Sequence, residues 1–194
     1  MKYLYENYVS LVAVISNDAD ILIDRIRRLE QVLKENFKYY EFVFVDNHSA
    51  DDSLKVLKSM DMKCTVVELA QRHKLPQAVM AGIDAAIGDY VFEIEDLSVE
   101  IDFNLLIDMY ETCQQGNDFV FLTPGNSSAM SRLFYRLLNG RLRYPAGQEV
   151  TSSVCILSSR RAQNKVAAMG DYIVNRNVAY ASAGLDCAYL KTDM

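Results

Sequence analysis

The chain has no tryptophan, only two histidines, three prolines and four cysteines among its 194 residues, and each scarcity excludes something. Cys64, Cys113, Cys155 and Cys187 are far apart, form no C-x-x-C pair, and three lie inside apolar runs. Buried reduced thiols are therefore expected, ahead of disulfides or a zinc site. His48 and His73 have no sequence neighbour that would complete a nucleophile–base pair and read as polar loop residues. No stretch approaches the ~20 apolar residues of a membrane span. The opening MKYLYENYVSLVAVISND lacks the basic start and small-residue cleavage site of a signal peptide. A cytoplasmic protein is expected, with room for peripheral contact at the inner face of the membrane. Bases are also in deficit: the net charge is −6, and residues 1–100 carry 18 acids against 11 bases. That speaks against nucleic acid as a partner but suits a metal-assisted phosphate site. No glycine-rich loop follows the first apolar run, which counts against a nucleotidyltransferase.

What is present is an alternation of apolar runs and amphipathic stretches. Residues 9–15 form a buried-strand run that breaks at Ser16, Asn17 and Asp18, and apolar positions 21–33 follow at helical spacing. The stretch EFVFVDNHSADDS, residues 41–53, is a second strand that delivers Asp46 to its end, followed by a short helix over 54–57. A third strand over 65–69 leads into the basic loop Arg72-His73-Lys74, and Pro76 opens an alanine-rich helix over 77–87 carrying Gly82. A fourth strand, 90–94, ends in Glu95-Asp96. A helix follows from Asp102 to its closure at Gly116, then a fifth strand over 119–122. This rhythm predicts an α/β fold with a mostly parallel central sheet flanked by helices. Beyond it, 128–139 reads as a helix closed by Gly140 and bearing Arg132 and Arg136. Residues 141–153 read as a mobile loop (about 140–153), 154–157 as a strand, 160–169 as a helix, and 178–181 and 187–190 as further strands. Domain boundaries are expected at 1–122 for the core and 123–194 for an acceptor-side region with a short α+β character. The ending Lys191-Thr192-Asp193-Met194, close behind a strand, is compatible with truncation of a longer protein.

In open α/β sheets ligands bind at the carboxyl ends of the strands. Asp46 is the first candidate contact and Glu95-Asp96 the second acidic strand end. The bland alternatives are a capping aspartate, helix-start charges at Asp51 and Asp52, and a solvated turn.

Taken together, VSLVAVISND, EFVFVDNHSADDS, VVELAQRHKLPQAVMAGIDAAIGDYVFEIED and SSRRAQNKV resemble a family-2 glycosyltransferase of the nucleotide-sugar-binding GT-A fold, in the branch of polyprenyl-phosphate sugar synthases and polysaccharide-building enzymes. The resemblance implies transfer of a sugar from a nucleotide-sugar donor, UDP favoured, to a glycan or lipid-phosphate acceptor, with inversion. Donor contacts would come from Ser16, Asn17, Asp18, Asp46, His48, Ser49, Arg72 and Lys74. The family's D-x-D would be represented either by Glu93 and Glu95 or by Asp96, with Glu95 and Asp96 the pair at the sheet edge, holding Mg2+ or Mn2+. Catalytic candidates are Glu95, Asp96 and Asp102, with Glu149 a further base candidate. Processive synthesis is not expected, because no Q-x-x-R-W motif exists. A homodimer is compatible with this reading. The rival readings are a weakened nucleotide-sugar-binding module that works with a partner subunit, and a flavodoxin-like signalling domain.

Overall fold

The computed structural model describes residues 3–126, 129–141, 150–170 and 175–192. The chain divides into two compact units, Met1–Asn104 and Leu105–Met194. In the first, β1 (Tyr5–Ile15), α1 (Leu22–Asn36), β2 (Phe37–Asp46), α2 (Ser53–Ser59), β3 (Thr65–Glu68), α3 (Leu75–Ala85) and β4 (Tyr90–Ile94) follow one another. The strands lie in the order β3-β2-β1-β4, and every pairing is parallel. Register aligns Ile15 with Asp46 and Asp46 with Glu68, so three strands end level with one another.

The continuous apolar runs are explained by burial on both faces. Val12, Val14, Val43, Val45 and Val91 form one face and pack with Ala78, Val79 and Ile83 of α3. Leu11, Ala13, Phe42, Phe44 and Phe92, at the alternate positions, are equally buried. The buried stripe of α1, Leu22, Ile26, Leu29 and Leu33, has the spacing of one helix face. Gly82 allows α3 its close approach: a Cβ there would sit 2.4 Å from Val12 Cγ1 and 2.7 Å from Val45 Cγ2.

The second unit contains α4 (Leu105–Gln114), β5 (Phe119–Pro124), α5 (Ala129–Arg141), β6 (Cys155–Ser159), α6 (Arg160–Ala168), α7 (Arg176–Ser182) and β7 (Cys187–Thr192). β5 pairs parallel with β7 and antiparallel with β6. Its core is Phe119, Phe121, Ile156, Ala162, Val166 and Tyr180, with the Phe119 and Tyr180 rings stacked at 4.5 Å.

The α/β, mostly parallel architecture is the one expected. Three local expectations are corrected. Residues 178–181 belong to α7, where the Asn175 side chain accepts the Val178 N–H at 3.2 Å and caps the helix, and Arg176, Tyr180 and Ala181 are its buried positions. Gly140 does not end its helix, since α5 runs on to Arg141. α3 begins at Leu75, so Pro76 is its second residue. In the loop expected over about 140–153, residues 142–149, including Arg143 and Glu149, lie outside the described residues, as do the Arg132 and Arg141 side chains.

Candidate functional site

Three loops leave the carboxyl edge of the first unit's sheet, and their side chains tie them to each other. Asp46, the last residue of β2, is 6% exposed, and its Oδ1 accepts the Ser49 N–H at 3.3 Å. This closes the loop on itself; α2 starts later, at Ser53, so Asp46 does not cap it. Asn47 is 1% exposed, with its N–H donating to the Ile15 carbonyl at 2.9 Å. Its amide side chain donates from Nδ2 to the His73 carbonyl (3.0 Å) and accepts at Oδ1 from the His73 N–H (2.8 Å). That pair of bonds fixes the backbone of the Arg72-His73-Lys74 loop.

The opposite side of the β2 loop grips the β1 loop. The Asn17 N–H donates to Ser49 Oγ (3.2 Å) and Asn17 Oδ1 accepts the Ala50 N–H (2.7 Å). The Asp18 N–H donates to Ser53 Oγ (2.8 Å), and Asp51 Oδ2 accepts the Ala19 N–H (3.1 Å). Asn17 and His48 both adopt left-handed backbone, with φ of 64° and 58°. Such conformations cost energy in residues with a Cβ and concentrate at ligand sites.

The electrostatics follow from this convergence. Burial raises the pKa of Asp18, and the nearby Asp96 and Asp51 carboxylates raise it further, against the lowering effect of the Ser16 N–H that donates to its Oδ2 at 2.7 Å. The Asp51 pKa is lowered, chiefly by the Ser53 hydroxyl, which donates to Oδ1 at 2.5 Å. Asp96 shares a field with Asp18 even though β4 and β1 bring them from distant sequence.

The structure therefore places Ser16, Asn17, Asp18, Asp46, His48, Ser49 and the backbone of residues 72–74 around one sheet edge. Arg72, His73 and Lys74 are exposed there. Glu95 is half-buried just beyond β4, and Asp96 is exposed, with Oδ1 accepting both the N–H (2.8 Å) and the hydroxyl (2.6 Å) of Ser98. Glu93 stands apart: it is fully buried inside β4, level with Val12, and does not reach the edge. Asp102 is exposed and occupied as the acceptor for the Asn104 N–H and side-chain amide. Among the described residues no three acidic, histidine or cysteine side chains form a metal cage. The residues that the motif reading underweighted are Asn47, Asp51 and Ser53, which carry the loop-to-loop bonds.

The sequence profile of Glycosyl transferase family 2 matches residues 11–164, from the middle of β1 into α6. The chain belongs to this family. Among relatives of this family-2 chain, the undecaprenyl-phosphate 4-deoxy-4-formamido-L-arabinose transferase of Pseudomonas fluorescens (strain Pf0-1) is 28% identical over 159 residues, 79% of this chain and 46% of that protein. The uncharacterized glycosyltransferase YkcC of Bacillus subtilis is 24% identical over 141 residues, 68% of this chain and 43% of the relative. The family-2 chain thus spans about half the length of the relatives it matches.

Among solved structures, mannosyltransferase PcManGT from Pyrobaculum calidifontis, in complex with GDP-Man and Mn2+, matches with a TM-score of 0.70 at 16% identity, over 97% of this chain and 56% of that one. Glucosyl-3-phosphoglycerate synthase from Mycobacterium tuberculosis, in complex with Mn2+, UDP-glucose and phosphoglyceric acid, gives 0.67 at 15% identity, over 95% and 70%. At these identities the likeness establishes the fold, the GT-A architecture expected from the motifs.

Proposed function

We propose that this chain is the donor-binding part of a glycosyltransferase that moves a sugar from a nucleoside-diphosphate sugar, UDP favoured, to a polyprenyl-phosphate or glycan acceptor with inversion. One observation carries the proposal: a nearly buried carboxylate, Asp46, is held at a sheet edge between two loops that Asn47, Asp51 and Ser53 lock in place. A fixed acceptor at a strand end is what the imide N–H of a pyrimidine base requires. The Ser16-Asn17-Asp18 loop, with Ser49, would border the ribose, and Arg72 and Lys74 would neutralise the diphosphate. The relatives' names support the acceptor class, and the donors in the names of the solved structures support the donor class.

Asp96, with Glu95 or Asp18, would hold a divalent cation that supplies positive charge to the diphosphate. Mg2+ sites of this type use one or two carboxylates plus substrate phosphate oxygens, so no three-residue cage is needed. Burial raises Asp18 first and the Asp96 and Asp51 carboxylates add to it, a charge imbalance of the kind such a cation relieves. When bound, the ion would stabilise the charge that grows on the departing diphosphate. A lipid phosphate is already anionic and attacks without a general base; for a hydroxyl acceptor, Asp102 is the base candidate among the described residues.

The burial of Glu93 favours a second reading, a nucleotide-sugar-binding module of weakened catalysis that acts with a partner subunit, because it leaves only Glu95 and Asp96 at the acidic strand end. A thermal-shift panel of UDP-, GDP- and dTDP-sugars with and without Mn2+, repeated on Asp46→Ala, tests donor binding. Stabilisation that Asp46→Ala abolishes is expected; no stabilisation by any donor sinks the proposal. Release of nucleoside diphosphate in the same mixtures separates the transferase from the weakened module.

A further inference from the structure

Helix α5 leaves its apolar side uncovered. Met130, Leu133, Phe134 and Leu137 are 75%, 51%, 53% and 60% exposed. Their spacing, i, i+3, i+4, i+7, puts all four on one stripe. The rotation of the helix is pinned from the opposite side. Asn139 donates from Nδ2 to the Val150 carbonyl (3.0 Å) and accepts the Val150 N–H at Oδ1 (2.9 Å), so the stripe half a turn away points outward. A helix that served only as packing would turn these groups inward, where their burial would stabilise the fold.

Charge identifies the occupant. In a chain of net charge −6, residues 119–148 contain four arginines, Arg132, Arg136, Arg141 and Arg143, and no acid. Arg136 is exposed, one residue before Leu137. Leucine and phenylalanine on one face with arginine flanking it is the pattern of a helix that lies in the headgroup region of an anionic bilayer. A second copy of a net-negative chain would also cover apolar surface, but it would not account for thirty residues purged of acid.

We infer that α5 docks the protein onto an anionic lipid surface, with Phe134 and Leu137 immersed and Arg136 at the headgroups. This goes beyond the transferase reading and stands on α5 alone. No helix among the described residues is long and apolar enough to cross a membrane, so docking of this kind would be interfacial and reversible.

The test is co-sedimentation of the full chain with vesicles of phosphatidylglycerol and phosphatidylcholine, against phosphatidylcholine alone. Binding should be roughly tenfold tighter to the anionic vesicles and should weaken with salt. Phe134→Ser/Leu137→Ser should lose roughly tenfold, and Arg136→Glu roughly fivefold or more on anionic vesicles only. Because these side chains are exposed, melting temperature should stay near the parent's; Leu133→Gln/Leu137→Gln serves as a second variant if the first unfolds. Three results would overturn the inference: no binding to anionic vesicles, equal binding by the variants, or a dimer in light scattering that the serine variant dissolves without any lipid binding. Donor-induced thermal shift in the same variants should be unchanged, so failure of docking and failure of the donor-site proposal are read separately.

Discussion

Asn47 shows how one side chain can govern a site without touching a ligand. It follows Asp46, the proposed donor contact, directly, yet its amide is spent on the backbone of residue 73. Asn47→Ala orphans the His73 N–H and carbonyl together, which costs about 1–3 kcal/mol where such groups stay dry. Loss toward the lower end is expected in urea melts, because His73 is exposed, and the loosened Arg72-Lys74 loop should weaken the donor-induced thermal shift as well. Asn47→Asp keeps the acceptor at Oδ1 but sets a carboxylate oxygen against the His73 carbonyl in a buried position, so it should lose at least as much as Asn47→Ala. Nothing in the sequence near Asn47 announces this role, since its partner lies 26 residues away. The motif points to Asp46, and only the fold shows what holds the loops around it. A second residue-scale expectation concerns acid. Glu100 bonds to Arg25 and, at 3.0 Å, to Arg28, and the two guanidinium groups hold its carboxyl down to about 2 from an ordinary 4.5. A depressed carboxyl contributes stability that is complete above its unfolded value and disappears as pH falls through the folded one. The stability difference between the parent and Glu100→Gln should therefore be present at neutral pH and shrink between about 4.5 and about 2, as followed by denaturant melts at stepped pH. A difference that grows on acidification would contradict the ion pair.

At the scale of elements, two helical glycines make opposite predictions from the same geometry. Gly82 on α3 faces β1 and β2 so closely that Gly82→Ala would drive its methyl to 2.4 Å from Val12 Cγ1. Valine is stiff and cannot turn aside, so a loss of about 1–3 kcal/mol is expected from overpacking. Gly140 lies inside α5 with nothing within 4 Å of a built Cβ. Gly140→Ala should stabilise by roughly 0.5–1 kcal/mol, because the unfolded chain loses freedom and the helix loses nothing. Thermal melts of the two variants should move in opposite directions. The same pair explains what could be read from sequence. Gly82 stands in an alanine-rich helix, a run of small side chains that permits close packing, and the structure supplies the contact. Gly140 looked like a terminator because glycine commonly follows a helix, but it is helical here and so is Arg141 after it. The long apolar runs identified β1, β2, β4 and β5 because burial on both faces leaves no polar alternation to misread. The short run at 178–181 failed for the converse reason: four residues cannot distinguish a strand from a helix turn, and the deciding signal was the cap at Asn175, outside the run.

At the scale of the whole molecule, the absence of tryptophan leaves tyrosine as the main intrinsic fluorophore, so the thiols become the better reporters of opening. They are unevenly placed. Cys64 is half-buried in the first unit, whereas Cys113, Cys155 and Cys187 all belong to the second. All four are free. Burial, with Asp118 nearby, pushes the Cys113 thiol up to about 12, and burial with Asp186 and Asp118 does the same for Cys187. Relative to the ordinary value of 9.0, less of each is thiolate at pH 8, and only the thiolate reacts. Cys155 is 1% exposed on β6 and is excluded by access alone. Reaction of the buried Cys113 and Cys155 must therefore pass through opening of the second unit, while the half-buried Cys64 and Cys187 react from the folded state, Cys187 held back by its raised pKa. Labelling with a thiol-reactive chromophore, resolved by peptide mass, should give Cys64 as the earliest site, and Cys113 and Cys155 as delayed sites whose rates rise together with urea. A donor that binds around Asp46 should leave the Cys64 rate unchanged, because that reaction does not require the first unit to open. Modification of Cys113 or Cys155 as fast as Cys64 in the absence of urea would show that the second unit is not closed around them.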